Sequence, residues 1–132
     1  MNRFFTTITL LCFSVGAIAQ EKEIWACQSE SDGAAGIVWR DGSANIASFN
    51  QQTLLLTIDG ENSSYTLNGT DYSAVCRVEG WVSCIDETNT QHILLSTTFG
   101  QAGLSNLFAT VLPPSTRDNN NIYVVSFNCT KF

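Results

Sequence analysis

Hydrophobic and polar residues alternate in short runs along most of the chain, and this period-two pattern predicts β-strands. Turn sequences separate the runs, among them Asp41-Gly42, Asp59-Gly60 and Asn68-Gly69, which are strong hairpin signals. No segment shows the sustained apolar stripe of an amphipathic helix. The sequence therefore predicts an all-β domain, a small antiparallel β-barrel or β-sandwich of about 8–10 strands.

The predicted strands cover residues 24–27, 37–40, 44–49, 53–58, 64–67, both arms of 76–84, 92–99, 104–112 and 122–129. Residues 29–35 are predicted to form a loop, and residues 100–103 to break the strand pattern, because glycine and small or polar residues gather there. On the most apolar strand, Leu54, Leu56 and Ile58 should share the core face.

The stretch from Cys76 to Cys84 is predicted to be a hairpin that turns at Gly80. A three-residue loop centred on Gly80, which supplies a left-handed conformation, places Cys76 directly opposite Cys84, where the two can form a disulfide. A two-residue Glu79-Gly80 turn would instead place the cysteines on opposite faces. The first register is favoured, and a disulfide closing so short a loop should stabilise the domain by roughly 2 to 3 kcal/mol.

The first 19 residues have the composition of a secretory signal peptide. Arg3 provides a positive start, an apolar run follows, and Ala17-Ile18-Ala19 offers the small residues that a signal peptidase accepts. Residues 20–132 then form a single all-β domain that is exported to the periplasm or the extracellular space. This mature part contains no apolar run long enough to span a membrane.

Four cysteines remain after the signal peptide: Cys27, Cys76, Cys84 and Cys129. An even number in an exported chain indicates two disulfides, for which three pairings exist. The nested pairing, Cys27 with Cys129 and Cys76 with Cys84, is preferred. It would join the first strand to the last, which favours a closed barrel over an open sandwich.

The mature chain carries 5 basic and 12 acidic residues, because only Arg3 leaves with the signal peptide, and its net charge is therefore about −7. The five basic residues are scattered along the sequence, so no nucleic-acid partner is expected. An acidic surface would suit a basic protein partner. The simpler interpretation is that the charge keeps an exported protein soluble.

Residues with catalytic or metal-binding chemistry are few. His92 is the single histidine, no Gly-x-Ser-x-Gly nucleophile elbow is present, and the cysteine spacing does not suit zinc. The neighbouring carboxylate pairs flank predicted turns and are expected to serve turn formation and solvation: Glu30 with Asp32, Asp59 with Glu61, and Asp86 with Glu87. We therefore predict no catalytic residue, no metal site and no cofactor.

The candidate partner-binding residues lie in loops and beside turns. They are Asp32 in the loop 30–33, Trp39, Arg40 and Asp41 at one hairpin tip, Trp81 beside Gly80, and Arg117 in the long polar loop 115–121. Trp39 or Trp81 could be an exposed platform for a glycan. The alternative, which is preferred, places Trp25 and Trp39 in the core and Trp81 over the hairpin disulfide.

A small exported all-β domain with cysteines near both ends is similar in layout to the bacterial periplasmic lysozyme inhibitors. The similarity is one of layout, and no functional residue carries over. The favoured hypothesis is a non-catalytic binding module for a protein, including inhibition of an extracytoplasmic hydrolase. The alternatives are a glycan-binding module that uses an exposed tryptophan and a small hydrolase that uses paired carboxylates.

Overall fold

The structure is a computed structural model that describes residues 21–88, 90–107, 112 and 121–132. Within these residues almost all secondary structure is β-strand, with one 3-10 turn at Gly60–Asn62, and no helix is long and apolar enough to cross a membrane. The strands are β1 (Glu23–Arg40), β2 (Ser43–Ser48), β3 (Thr53–Ile58), β4 (Ser63–Leu67), β5 (Thr70–Glu79), β6 (Trp81–Asp86), β7 (Gln91–Ser96), β8 (Gln101–Asn106) and β9 (Asn121–Lys131). The all-β prediction is confirmed.

The strands close into a barrel. Strands β3 to β9 pair in sequence order, and both β3 and β9 pair with β1, so eight antiparallel strands form a complete ring. Among the described strands, β2 pairs with β1 alone and extends the sheet beyond the ring. The structure is thus the barrel rather than the sandwich of the two predicted architectures, and pairing of the first strand with the last closes it.

Strand β1 is long because it pairs with two strands, β3 and β2, one after the other along the same edge. Its first part, up to Gln28, pairs with β3, and its last part, from Ala35 onward, pairs with β2. Strand β9 pairs with both parts, and the register shifts between Ser29 and Ala34. Residues 30–33 therefore form a bulge within one strand. The predicted loop at 29–35 is wrong in this respect, because the segments on both sides of it pair with the same strand.

Inward-facing residues fill the barrel with a closely packed apolar core. Leu54, Leu56 and Ile58 are buried on the inner face of β3, as predicted. Trp25 is also in the core, whereas Trp39 is not. The other large core side chains include Tyr65, Val82, Ile93, Leu95, Leu104, Val125 and Phe127, whereas β5 contributes the smaller Ala74 and Cys76.

Both predicted disulfides are present. Cys27 lies directly opposite Cys129 with 4.0 Å between their Cα atoms, and Cys76 lies opposite Cys84 with a Cα separation of 4.1 Å. In the second hairpin Gly80 has a φ of +80°, which confirms the predicted three-residue turn and its register. The first disulfide holds the barrel closed between β1 and β9, and the second holds the β5–β6 hairpin.

The turn between β7 and β8 lies earlier in the sequence than predicted, at residues 97–100 rather than 100–103, so the end of the predicted strand 92–99 belongs to the turn. Strand β7 ends at Ser96 and β8 already begins at Gln101, so Gly103 lies within a strand rather than in a break. The predicted strand 104–112 is present as far as Asn106, where β8 ends. The predicted signal peptide (residues 1–19) and Arg117 lie outside the described residues.

Candidate functional site

The outer wall of the barrel across β5 to β9 carries a groove of about 810 Å³. Its floor is a cross-strand row in which each residue pairs with the next on the neighbouring strand: Arg77, Ser83, Leu94, Gly103 and Ser126. We call this surface the Trp81 groove, after the tryptophan in its wall. It is defined by that row together with Glu79, Trp81, Ser96, Phe99 and Gln101.

Gly103 makes the depression. It lies between Leu94 on β7 and Ser126 on β9, at an outward position where most strand residues carry a side chain. An added Cβ would have the carbonyl oxygen of Val125, at 3.9 Å, as its nearest neighbour outside its own chain segment, which is ordinary contact. Nothing in the packing thus requires glycine at position 103, and its effect is to leave the surface hollow beside Leu94.

Trp81 forms one wall of the groove and is held by the β5–β6 hairpin. It follows Gly80 in the turn, pairs with Glu79, and leaves 59 % of its surface exposed. The Cys76–Cys84 disulfide is buried on the inner face of the same hairpin. Trp81 therefore points away from the disulfide, and the prediction that it covers the disulfide is wrong.

Phe99 also lines the groove, although it comes from a different turn than Trp81. The β7–β8 turn is closed by a hydrogen bond from the Gly100 backbone N–H to the carbonyl oxygen of Ser96 at 2.9 Å. The N–H of Phe99 donates to the Ser96 hydroxyl at 3.4 Å. These contacts hold the Phe99 ring at the surface, where 74 % of it is exposed.

Polar groups rim the groove, and apolar residues continue beyond it. Arg77, Glu79 and Gln101 are exposed and provide a cation, a carboxylate and an amide beside the aromatic rings. In the next outward row, Val75 and Ile85 are exposed on one side and Val124 on the other, with His92 and Ser105 between them. Exposed aromatic rings bordered by polar groups, as in the groove itself, are typical of a surface that binds another molecule.

A serine and a histidine meet in this wall, but their surroundings do not suit nucleophilic catalysis. The Ser83 hydroxyl lies 2.8 Å from Nε2 of His92. Both residues lie within strands that have neighbours on both sides, so the backbone N–H groups around them bond within the sheet and do not form an oxyanion hole. The pair serves as a cross-strand hydrogen bond.

Asp86 is buried, and its role is to hold a turn. Its carboxylate accepts hydrogen bonds from the backbone N–H groups of Thr90, at 2.7 Å, and Gln91, at 2.9 Å, and from the hydroxyls of Thr88 and Thr90. Burial works to raise the pKa of Asp86, but the hydrogen bonds from Gln91, Thr88 and Thr90 outweigh it and hold the pKa below its usual range.

The other carboxylate pairs lie apart, in the β1 bulge and in the β3–β4 turn. The described residues hold no cluster of three or more metal-ligating side chains. Asp86 points into the barrel and its carboxylate is engaged on both oxygens. The arrangement of the described carboxylates therefore gives no support to hydrolysis by a carboxylate pair.

The candidate residues from the sequence occupy two separate regions. Asp32 is exposed in the β1 bulge, while Arg40 and Asp41 form the tip of the β1–β2 hairpin with Trp39, half-buried, beside them. Trp81 lies near the other end of the barrel. The two regions are separated by the stretch of β9 from residue 121 to residue 128, which spans roughly 23 Å. The structure therefore does not bring Trp39 and Trp81 into one site.

Sequence reasoning missed most of the groove. The sequence placed Leu94 and Phe99 in a strand and Gly103 in a break, and it did not bring them together. Their proximity depends on the register of four strands. One sequence signal was available for Phe99, a large aromatic residue directly before the glycine of a turn. Turns lie at the protein surface, so this ring could have been expected to be exposed.

No protein-family model, curated protein or solved structure matches this chain. The geometry of the Trp81 groove is thus what points to a function.

Proposed function

We propose that this chain is an exported, non-catalytic binding module that takes a protein partner in the Trp81 groove. The observation that carries the proposal is the pair of exposed aromatic rings, Trp81 and Phe99, beside the hollow at Gly103. Export is supported by two disulfides, which persist in oxidising compartments, and by the signal-peptide composition of residues 1–19.

A protein partner suits the groove for two reasons. Tryptophan and arginine are the residues that most often dominate binding energy at protein interfaces, and Trp81 and Arg77 both line this groove. In addition, Leu94 and the exposed ring of Phe99 line the groove together with Trp81, so its apolar surface extends beyond what one sugar ring covers. An apolar side chain of the partner would enter the hollow beside Leu94.

The net charge supports a basic partner, because complementary charge accelerates encounter. A basic extracytoplasmic hydrolase is such a partner, and its inhibition is the specific activity we propose. Inhibition would arise when the bound module blocks access to the enzyme's cleft.

The test is capture of proteins from the native surroundings by the oxidised mature domain, compared among variants matched in size and exposure. Phe99→Ala is paired with Phe132→Ala, since Phe132 is 81 % exposed but lies outside the groove. Leu94→Ala is paired with Leu55→Ala, since the two leucines are 48 % and 44 % exposed. A partner lost with Phe99→Ala and Leu94→Ala and retained by both controls supports the proposal. A partner retained by all four variants contradicts it.

Inhibition is tested separately on the captured protein. If that protein is a hydrolase, its activity should fall as the module is added, and Phe99→Ala should weaken the inhibition at least tenfold, which corresponds to about 1.4 kcal/mol. If the hydrolase keeps its full activity when saturated with the module, the module binds the enzyme but does not inhibit it, and the proposed inhibition is contradicted.

A glycan is the second candidate, favoured specifically by Trp81. Its ring is exposed beside Arg77, Glu79 and Gln101, and a flat ring flanked by hydrogen-bonding side chains is a suitable platform for a sugar. Binding of the domain to purified polysaccharides, lost in Trp81→Ala and kept in Trp81→Phe, would support this candidate. Absence of binding to any polysaccharide, together with capture of a protein, would exclude it.

A further inference from the structure

A second surface, separate from the Trp81 groove, lies on the β1–β2 hairpin beyond the barrel ring. Among the described strands, β2 pairs only with β1, so one edge of β2 has no strand beside it. Exposed edges are usually protected by charges, proline or bulges. Strand β2 (Ser43–Ser48) has the sequence SANIAS, which carries none of these, and every residue in it except Ala47 is exposed.

The turn decides which backbone groups face the open edge. Asp41 and Gly42 have φ values of +51° and +73°, as in a two-residue type I′ turn, so Arg40 and Ser43 form the hydrogen-bonded pair that closes the hairpin. Bonded pairs recur at every second residue from there. The residues whose N–H and C=O groups point to the open edge are therefore Ala44, Ile46 and Ser48.

An isoleucine row ends at this edge. Ile122 on β9 pairs with Ile37 on β1, which pairs with Ile46 on β2, so three β-branched side chains lie side by side on the outer face. Ile37 and Ile122 are half-buried, whereas Ile46 is 92 % exposed. The row thus ends at Ile46, whose side chain is not packed against any further strand that the structure describes.

We infer that β2 pairs antiparallel with β2 of a second copy of this chain, about a two-fold axis through Ile46. To form hydrogen bonds between the copies, a residue whose backbone groups point to the open edge must lie opposite a residue of the second copy whose backbone groups also point to its open edge. A two-fold axis through Ile46 produces such pairs. It places Ile46 opposite Ile46 of the second copy and Ala44 opposite Ser48 of the second copy. The isoleucine row then continues into the second molecule. Both copies use the same surface, so the contact is isologous.

Repulsion between two acidic copies is smallest at this edge. The mature chain, without Arg3, has a net charge of about −7, so two copies repel each other over most of their surface, but β2 itself is uncharged. In the antiparallel arrangement the two Asp41 turns lie at opposite ends of the contact, roughly 33 Å apart. That distance exceeds the screening length of about 10 Å in moderate salt, so the two acidic turns do not oppose pairing.

The contact is tested by sedimentation equilibrium of the oxidised protein over a wide range of concentration. The mass should rise with concentration from that of one chain to that of two. Ile46→Lys should keep the mass of one chain at all concentrations, because it places two like charges on the axis. The control is Leu55→Lys, an exposed outward residue on a strand with neighbours on both sides, which should dimerise as the unmodified protein does. A single-chain mass for the unmodified protein, or dimerisation of Ile46→Lys, would overturn the inference.

The axis is tested by cross-linking single cysteines with a short bismaleimide. Ile46→Cys should link to itself, and Ala44→Cys should link to Ser48→Cys when the two variants are mixed. Ser48→Cys alone should not link, since its two copies lie on opposite sides of the axis. Self-linking of Ser48→Cys at the rate of Ile46→Cys would show that the two chains pair in another register and overturn the proposed axis. Both tests are independent of any partner in the Trp81 groove.

Discussion

Leu94 lies directly opposite Gly103 on the outer face of the β7–β8 ladder, so a long side chain stands beside a position that has none. The hollow of the Trp81 groove results from this pair. Because a Cβ at position 103 would meet only ordinary contacts, the hollow can be filled without disturbing the fold.

Gly103→Val should therefore weaken binding in the Trp81 groove and leave the domain folded. Valine suits a strand better than glycine, so the free energy of unfolding should stay unchanged or rise by up to about 1 kcal/mol. Affinity for the captured partner should fall at least tenfold, measured by calorimetry or surface plasmon resonance.

The control for this substitution is Ser105→Val, at the next outward position of the same strand and outside the groove lining. It should bind as the unmodified protein does. Equal affinity of Gly103→Val and Ser105→Val would show that the partner does not enter the hollow.

The fold was largely predictable from the sequence because its determinants are local. The turns at Asp41-Gly42 and Asn68-Gly69 were predicted from their dipeptide sequences. Asp41 and Asn68 both have the positive φ that such turns require. The Cys76–Cys84 register followed from the position of Gly80 between two cysteines. Each of these features depends on fewer than about ten consecutive residues, within which turn chemistry dominates.

Two errors in strand assignment have a common cause, since glycine and polar residues were taken to end strands. Gly103 remains in a strand because β7 and β9 both pair with it, and residues 30–33 remain within β1 as a bulge because the segments on both sides of them pair with β9. The groove was not predictable for a related reason. Trp81, Leu94 and Phe99 come together only when the registers of separate strand pairs are known, and no local pattern encodes those registers.

The two disulfides should differ in their contribution to stability, because they close loops of different length. They join residues separated by 8 and by 102 positions. On the chain-entropy treatment, loss of the Cys76–Cys84 disulfide should cost about 2 to 3 kcal/mol and loss of the Cys27–Cys129 disulfide about 4 to 5 kcal/mol.

Urea unfolding of two double variants measures this difference: Cys76→Ala with Cys84→Ala, and Cys27→Ala with Cys129→Ala. Both variants remove two sulfur atoms facing the barrel interior, so the cavity effect enters both measurements. An equal or reversed order of the two losses would contradict the chain-entropy explanation.

Asp86 should make the domain sensitive to acid. Its pKa in the folded protein is depressed by hydrogen bonds, so its ionised form contributes stability above the pKa of the unfolded chain, about 4. That contribution is lost as the pH falls through the folded pKa.

Asp86→Asn should thus destabilise the domain at neutral pH by roughly 1 to 3 kcal/mol, and the difference from the unmodified protein should shrink as the pH falls below about 4. Urea unfolding at a series of pH values gives both quantities. Glu87→Gln, at the exposed neighbouring position, is the control and should follow the unmodified protein. A constant difference across the whole pH range would show that Asp86 does not carry the linkage.

Gly100 should tolerate alanine worse than Gly80, although both have positive φ, +62° and +80°. At Gly80 a Cβ would meet nothing within 4 Å, so Gly80→Ala should cost only the backbone strain of the left-handed conformation, about 1 kcal/mol. At Gly100 the Cβ would lie 2.7 Å from the carbonyl oxygen of Cys129, while the N–H of Cys129 donates to the carbonyl oxygen of Gly100. Gly100→Ala must therefore move β9 away or break this hydrogen bond. We expect the free energy of unfolding, measured in urea, to fall by at least about 2 kcal/mol. Because the same turn carries Phe99, Gly100→Ala should also weaken binding in the Trp81 groove, whereas equal losses for the two variants would show that the turn relaxes without strain.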